Sequence, residues 1–172
     1  LTSKTQESLE HVTAQGAPIF FLRPDGSLAT APMDYDLVPV VRISIRPAFL
    51  EDRFNSDPSL ESIDAIALVD TGADHVFIDE DFAARHGFLS DSTSTVQGAT
   101  STTIQKVHPA LFKLPDEINH PTMSAEFTSS PLRRNGRKYD VVLGMRLLSR
   151  GVLVMDFRSG VFRFEFTGQS NK

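Results

Sequence analysis

Asp70 is the residue of this chain best placed to do chemistry. The apolar run Ile66-Ala67-Leu68-Val69 delivers its carboxylate into a tight Thr71-Gly72 turn, and Ala73, Asp74 and Val76-Phe77-Ile78 follow. A carboxylate fixed at a turn can move a proton to or from a bound water. It can also do no more than cap a bend. Gly72 permits close backbone approach and a turn with unusual torsions, and Ala73 leaves room beside the acid. A second signal lies far downstream, Val141-Val142-Leu143-Gly144 followed by Leu147-Leu148. The Asp-Thr-Gly triplet occurs once, and no internal repeat supplies a second copy.

Asp70-Thr71-Gly72-Ala73 together with the later apolar-apolar-Leu143-Gly144 resembles the retropepsin family, the aspartic proteases of retroviruses and their cellular relatives. The resemblance spans roughly Val38 to Phe166. It implies a mainly β fold, a retropepsin-like closed β-barrel or sandwich with a flap hairpin and one or two short helices. It also implies that Asp70 is catalytic. Two carboxylates about 3 Å apart cannot both ionise, so one activates a water while the other polarises the scissile carbonyl. With one motif per chain, the second acid must come from a second copy, which makes a homodimer a requirement of the chemistry. No cofactor is needed.

The neighbours take their roles from the same resemblance. Thr71 hydrogen-bonds across the dimer axis. Ala73 and Asp74 meet the main chain of a polypeptide substrate. Gly98 and Ala99 belong to the tip of the flap, with Gly98 standing 28 residues after Asp70. Gly144 runs behind the catalytic turn, where a side chain would clash with the loop carrying Asp70, and Leu147-Leu148 lie in a short helix packed on the core. Two departures stand out. Met145 occupies the place where retroviral enzymes carry an arginine, with Arg146 one position further on. Val96 to Thr100 holds a single glycine, so its tip should be stiffer than a retroviral flap. The competing reading is a catalytically silent module that keeps the fold for dimerisation or peptide binding.

The elements that must hold these residues read mostly as strands. Val41, Ile43 and Ile45 alternate with Arg42, Ser44 and Arg46, which predicts a half-buried strand. Ile63 to Val69 leads into Asp70, and Val76 to Ile78 follows the turn. Asp79 to Gly87 predicts a compact helix, acidic at its start, basic at its end and closed by a left-handed Gly87. Ser92 to Thr103 forms a polar hairpin, with Ala110 to Leu114, Met123 to Thr128 and Tyr139 to Leu143 as further strands. Val152 to Phe157 and Val161 to Phe166 flank Arg158-Ser159-Gly160 as a hairpin. Pro18 to Leu22, a Pro24-to-Ser27 turn and Leu28 to Thr30 predict a smaller one. Glu51 to Ser62 reads as a surface loop, and so does the basic run Arg133 to Lys138.

The expected domains are an N-terminal extension at 1–36, a protease-like domain at 37–168 and a tail at 169–172. A net charge of −5 argues against a dedicated nucleic-acid surface. No cysteine is present, which removes disulfides, thiolate nucleophiles and cysteine metal sites. His11, His75, His86, His108 and His120 lack the spacing of a His-Glu-x-x-His metal motif, so no metal is expected. No apolar run approaches the roughly 20 residues that cross a bilayer. The first residue is Leu1, which reads as a trimmed fragment with room for an upstream signal, anchor or domain. Compartment is not legible.

Overall fold

Alternating apolar and polar side chains fold about half of the described residues into strands. The structure, a computed structural model, describes residues 16–34, 37–48, 62–98, 100–115 and 122–167. In chain order the elements are β1 (Ala17–Pro18), β2 (Phe20–Leu22), β3 (Leu28–Ala29), β4 (Pro39–Pro47), β5 (Ile63–Val69) and β6 (Phe77–Asp79). Then come α1 (Glu80–Arg85), β7 (Ser92–Gln97), β8 (Thr102–Lys113), β9 (Met123–Ser130) and β10 (Val141–Leu143). The last are α2 (Met145–Leu148), β11 (Gly151–Asp156) and β12 (Val161–Phe166). The expected mainly β class with short helices is borne out. The expected loop at Glu51 to Ser62 falls outside the described residues apart from its last position.

The large sheet runs β3-β2-β4-β5-β10-β6-β9-β8-β7, and β4 pairs a second time, with β8. That extra pairing, Ile45 opposite Phe112 and Ser44 opposite Lys113, closes β4, β5, β10, β6, β9 and β8 into a ring. Closure leaves those six strands without a free edge. Inside the ring Val41, Ile43, Ile45, Ala65, Ala67, Ile78, Val141, Leu143, Phe112 and Phe127 are buried. The alternation expected for β4 therefore holds on its inner face. Arg46 and Val40 are buried as well, and Val40 belongs to a second cluster, with Leu22, Tyr139 and Val142, that covers part of the outer face.

A second sheet, β1-β12-β11, packs its aromatic side chains on the barrel. Phe166 meets Phe112 with ring centroids 6.3 Å apart, and Phe162 meets Phe21 edge-on at 4.9 Å. Such tilted contacts place ring edges against ring faces and contribute beyond burial alone. β8 is longer than its sequence suggests. Its first half pairs with β7 and is mostly exposed, while its second half pairs with β9 and β4 and is buried at Val107, Ala110 and Phe112. The second arm of the polar hairpin and the Ala110 strand, read separately in the sequence, are one strand.

Candidate active site

β5 and β10 run parallel, with Val141 opposite Ala67 and Leu143 opposite Val69, so both strands end on the same side of the barrel. Asp70 follows β5 there and Gly144 follows β10. The amide of Asp70 donates to the Leu143 carbonyl at 3.1 Å, extending the ladder one residue past the strand. The chain then turns, with the Ala73 amide donating to the Asp70 carbonyl at 3.3 Å. The Gly72 amide donates to Asp70 Oδ1 at 2.8 Å. That bond fixes the carboxylate and leaves it half-buried, facing a groove.

Gly72 does not have a positive φ, which corrects the expectation of unusual torsions. The close approach expected of it is what the glycine serves. A Cβ there would stand 3.2 Å from Asp70 Oδ1, tight against the carboxylate that its own amide holds. Gly144 fits the packing expected of it. A Cβ on Gly144 would overlap the His75 carbonyl oxygen outright and lie 2.6 Å from that of Ala73.

The short helix α2 performs a task that sequence reasoning missed. The amide of Met145 donates to the Ala73 carbonyl at 2.7 Å and that of Arg146 to the Asp74 carbonyl at 3.1 Å. Helix starts carry amides with no partner inside the helix. Here those amides bind the Asp70 loop from behind. Leu147 and Leu148 are buried, anchoring α2 on the core as expected. A run of apolar residues after Gly144 signals a helix but gives no hint of where its first amides point.

Thr71 and Gly72 are exposed, as are Asp74 and Met145, while Ala73 and His75 are half-buried. Neither Thr71 nor Asp74 uses its side chain in a hydrogen bond among the described residues. Gly98 lies at the tip of the β7–β8 hairpin, where its amide donates to the Ser101 carbonyl at 2.8 Å. Ala99, expected beside it, lies outside the described residues. Asp70, Thr71, Gly72, Ala73, Asp74 and Gly144 come together in one loop assembly. Gly98 stands on a separate projecting hairpin.

The groove at Asp70 measures about 300 Å³ and is lined by Leu68, Ala73, Phe77, Leu132, Val142 and Tyr139, among others. Burial pushes the Tyr139 phenol above its ordinary pKa, the charge of Asp70 pushes the same way, and Arg137 opposes both. Tyr139 thus keeps its proton to a higher pH than a free phenol would. The segment 131–138 supplies Leu132, Asn135 and Arg137 to the lining. Read as a solvated basic loop, it is solvated and also clamped. The Arg133 guanidinium grips Asp140 Oδ1 at 2.7 and 3.1 Å, and its amide donates to Asp79 Oδ1 at 2.8 Å. Arg134 pairs with Glu80 at 2.7 Å and Asp81 at 2.9 Å on α1. Asp79, fully buried, also caps α1 through the Phe82 amide at 3.0 Å. α1 ends at Gly87 in a left-handed conformation, φ 73°, as expected.

A family model described as Aspartyl protease matches residues 60–147, just over half of the chain, from before Asp70 to Leu147 in α2. The chain belongs to the aspartyl protease family. The family expected from Asp70–Ala73 and Val141–Gly144 is thereby borne out. The solved structures similar to this chain include the following three. The solution structure of simian foamy virus (mac) protease matches at 15% identity and TM-score 0.41, covering 64% of this chain and 91% of that one. A retropepsin-like aspartic protease from Rickettsia conorii matches at 15% identity and TM-score 0.43, covering 82% and 85%. The foamy viral protease-reverse transcriptase in complex with RNA/DNA hybrid matches at 16% identity and TM-score 0.38, covering 64% of this chain and 12% of that one. No curated protein matches the chain. Among the described residues no helix is long and apolar enough to cross a membrane.

Proposed function

We propose that this aspartyl protease is a homodimeric endopeptidase in which the Asp70 carboxylates of two copies share and activate one water. The observation that carries the reading is the setting of Asp70. A single carboxylate is pinned by the Gly72 amide at the mouth of a groove, on a loop held rigid from behind by Gly144 and α2. Pre-positioning of this kind removes reorganisation from the reaction. Thr71, Gly72 and Met145 are exposed beside it, so a second copy can approach Asp70 along this face.

In the dimer, repulsion keeps one proton on the Asp70 pair. The ionised member draws a proton from water as the oxygen attacks the scissile carbonyl, and the protonated member donates to the carbonyl oxygen. The substrate polypeptide lies extended between the Asp70 loop and the β7–β8 hairpin, which serves as the flap over it. Thr71 bonds across the axis, Ala73 and Asp74 meet substrate main chain, and Gly98 and Ala99 cover it.

Asp70→Asn tests the assignment. It preserves shape and the Gly72 contact but cannot act as base. Cleavage of a denatured protein or peptide library should fall by about a hundredfold or more, in line with what a positioned acid or base contributes. An Asn variant that cuts as fast as the parent removes Asp70 from the mechanism. A second reading, the silent binding module, draws on Met145, which leaves the loop without the arginine of retroviral members. It predicts peptide binding and self-association with no hydrolysis by either protein.

A further inference from the structure

We propose that Arg137 makes this protease select glutamate, whose side chain enters the groove at Asp70 when it flanks the bond to be cut. The inference rests on the reading of Asp70 as the catalytic acid. The groove has two chemically distinct parts. Its floor is apolar, built from Leu68, Ala73, Phe77, Leu132 and Val142. Its polar lining comes from Ser130, Asn135, Arg137 and Tyr139, of which Asn135 and Arg137 are exposed and Tyr139 is buried. Floor residues are buried or half-buried while Arg137 is exposed, so the positive charge stands at the outer end. A side chain filling this space needs methylenes below and an acceptor above. Glutamate has two methylenes and a planar carboxylate that matches the guanidinium fork.

The three arginines of segment 131–138 divide by partner. Arg133 and Arg134 are taken by Asp140, Asp81 and Glu80. The Arg137 guanidinium has no hydrogen bond or ion pair among the described residues. Its backbone is nonetheless fixed, because the Arg137 amide donates to Leu132 at 3.0 Å and the Asn135 amide to Pro131 at 3.0 Å. A free cation on a clamped loop is a ready receptor for an anion. It also answers an electrostatic problem. Among the described residues that line the groove Asp70 is the one acid, and an incoming carboxylate would meet its charge unopposed without a cation nearby.

The test compares peptides identical except for Glu, Gln or Lys at each position flanking the cleaved bond. The parent should cleave the Glu peptide with kcat/KM about tenfold above Gln, the worth of one charge-assisted hydrogen bond. Arg137→Glu, at an exposed position, should keep its circular dichroism and reverse the order in favour of Lys. Equal cleavage of Glu and Gln by the parent, or an unchanged order in Arg137→Glu, overturns the proposal. Binding of the same peptides to Asp70→Asn, followed by fluorescence anisotropy, separates the two readings. A Glu preference in binding, with no cleavage by the parent, condemns the catalytic role of Asp70 and upholds the selection by Arg137. No preference in binding condemns the selection alone.

Discussion

Gly144 cannot carry a side chain without displacing the loop that holds Asp70. Backbone carbonyls, not flexible side chains, stand in the way, so Gly144→Ala should lose about 3 kcal/mol by forcing apart a packed contact. Thermal melting of the variant reads that loss, and an unchanged midpoint would mean the loop yields freely. Tyr139 offers a second residue-scale prediction. The folded chain holds the phenol proton more tightly than the unfolded one, because burial and Asp70 disfavour the phenolate. Stability from this source is intact below about pH 10 and falls as pH rises beyond it. Tyr139→Phe should therefore show a shallower alkaline loss of melting temperature than the parent. At this scale the sequence was readable where local spacing fixes position. Asp70 could be placed in its turn and Gly144 packed behind it. Gly72 was misread in part, since glycine serves both torsion and close approach, and only coordinates separate the two.

Segment 131–138 owes its shape to acids that lie far from it in the chain. Asp79 joins it to the start of α1, capping the Phe82 amide with one oxygen and the Arg133 amide with the other. Asp79→Ala removes both acceptors and should cost about 2 kcal/mol, a capping loss plus a stranded amide. If the segment forms the groove wall for substrate, the same variant should raise KM more than it lowers kcat. The Arg134 bond holds the Asp81 carboxyl below its ordinary range. The contribution of this pair is present above about pH 4 and fades as pH falls below that value. The difference in melting temperature between parent and Arg134→Gln should accordingly be small at neutral pH and vanish in strong acid. α1 and the strands around it were legible because period, caps and turn residues are local signals. The clamp was not. Arg133 to Lys138 has the composition of a solvated loop, and nothing in that run announces Asp79 or Asp81, which lie far back in the chain, as partners.

Ring closure is the property of the whole molecule that sequence patterns conceal. β4 and β8 each alternate as strands should, but their pairing joins segments some sixty residues apart, and periodicity does not say which strand meets which. The proposed dimer belongs to this scale as well. Specific activity should fall on dilution while the barrel stays folded, and analytical ultracentrifugation should show the same concentration dependence. Activity that is independent of concentration in a demonstrated monomer would end the shared-water mechanism. β8 has a mechanical consequence. One uninterrupted strand runs from the projecting hairpin near Gly98 to the seam at Phe112. The hairpin is therefore a cantilever whose fixed end is built into the barrel wall. Loosening a bolt at the seam, by a smaller residue at Phe112, should be felt as increased amplitude at the far tip.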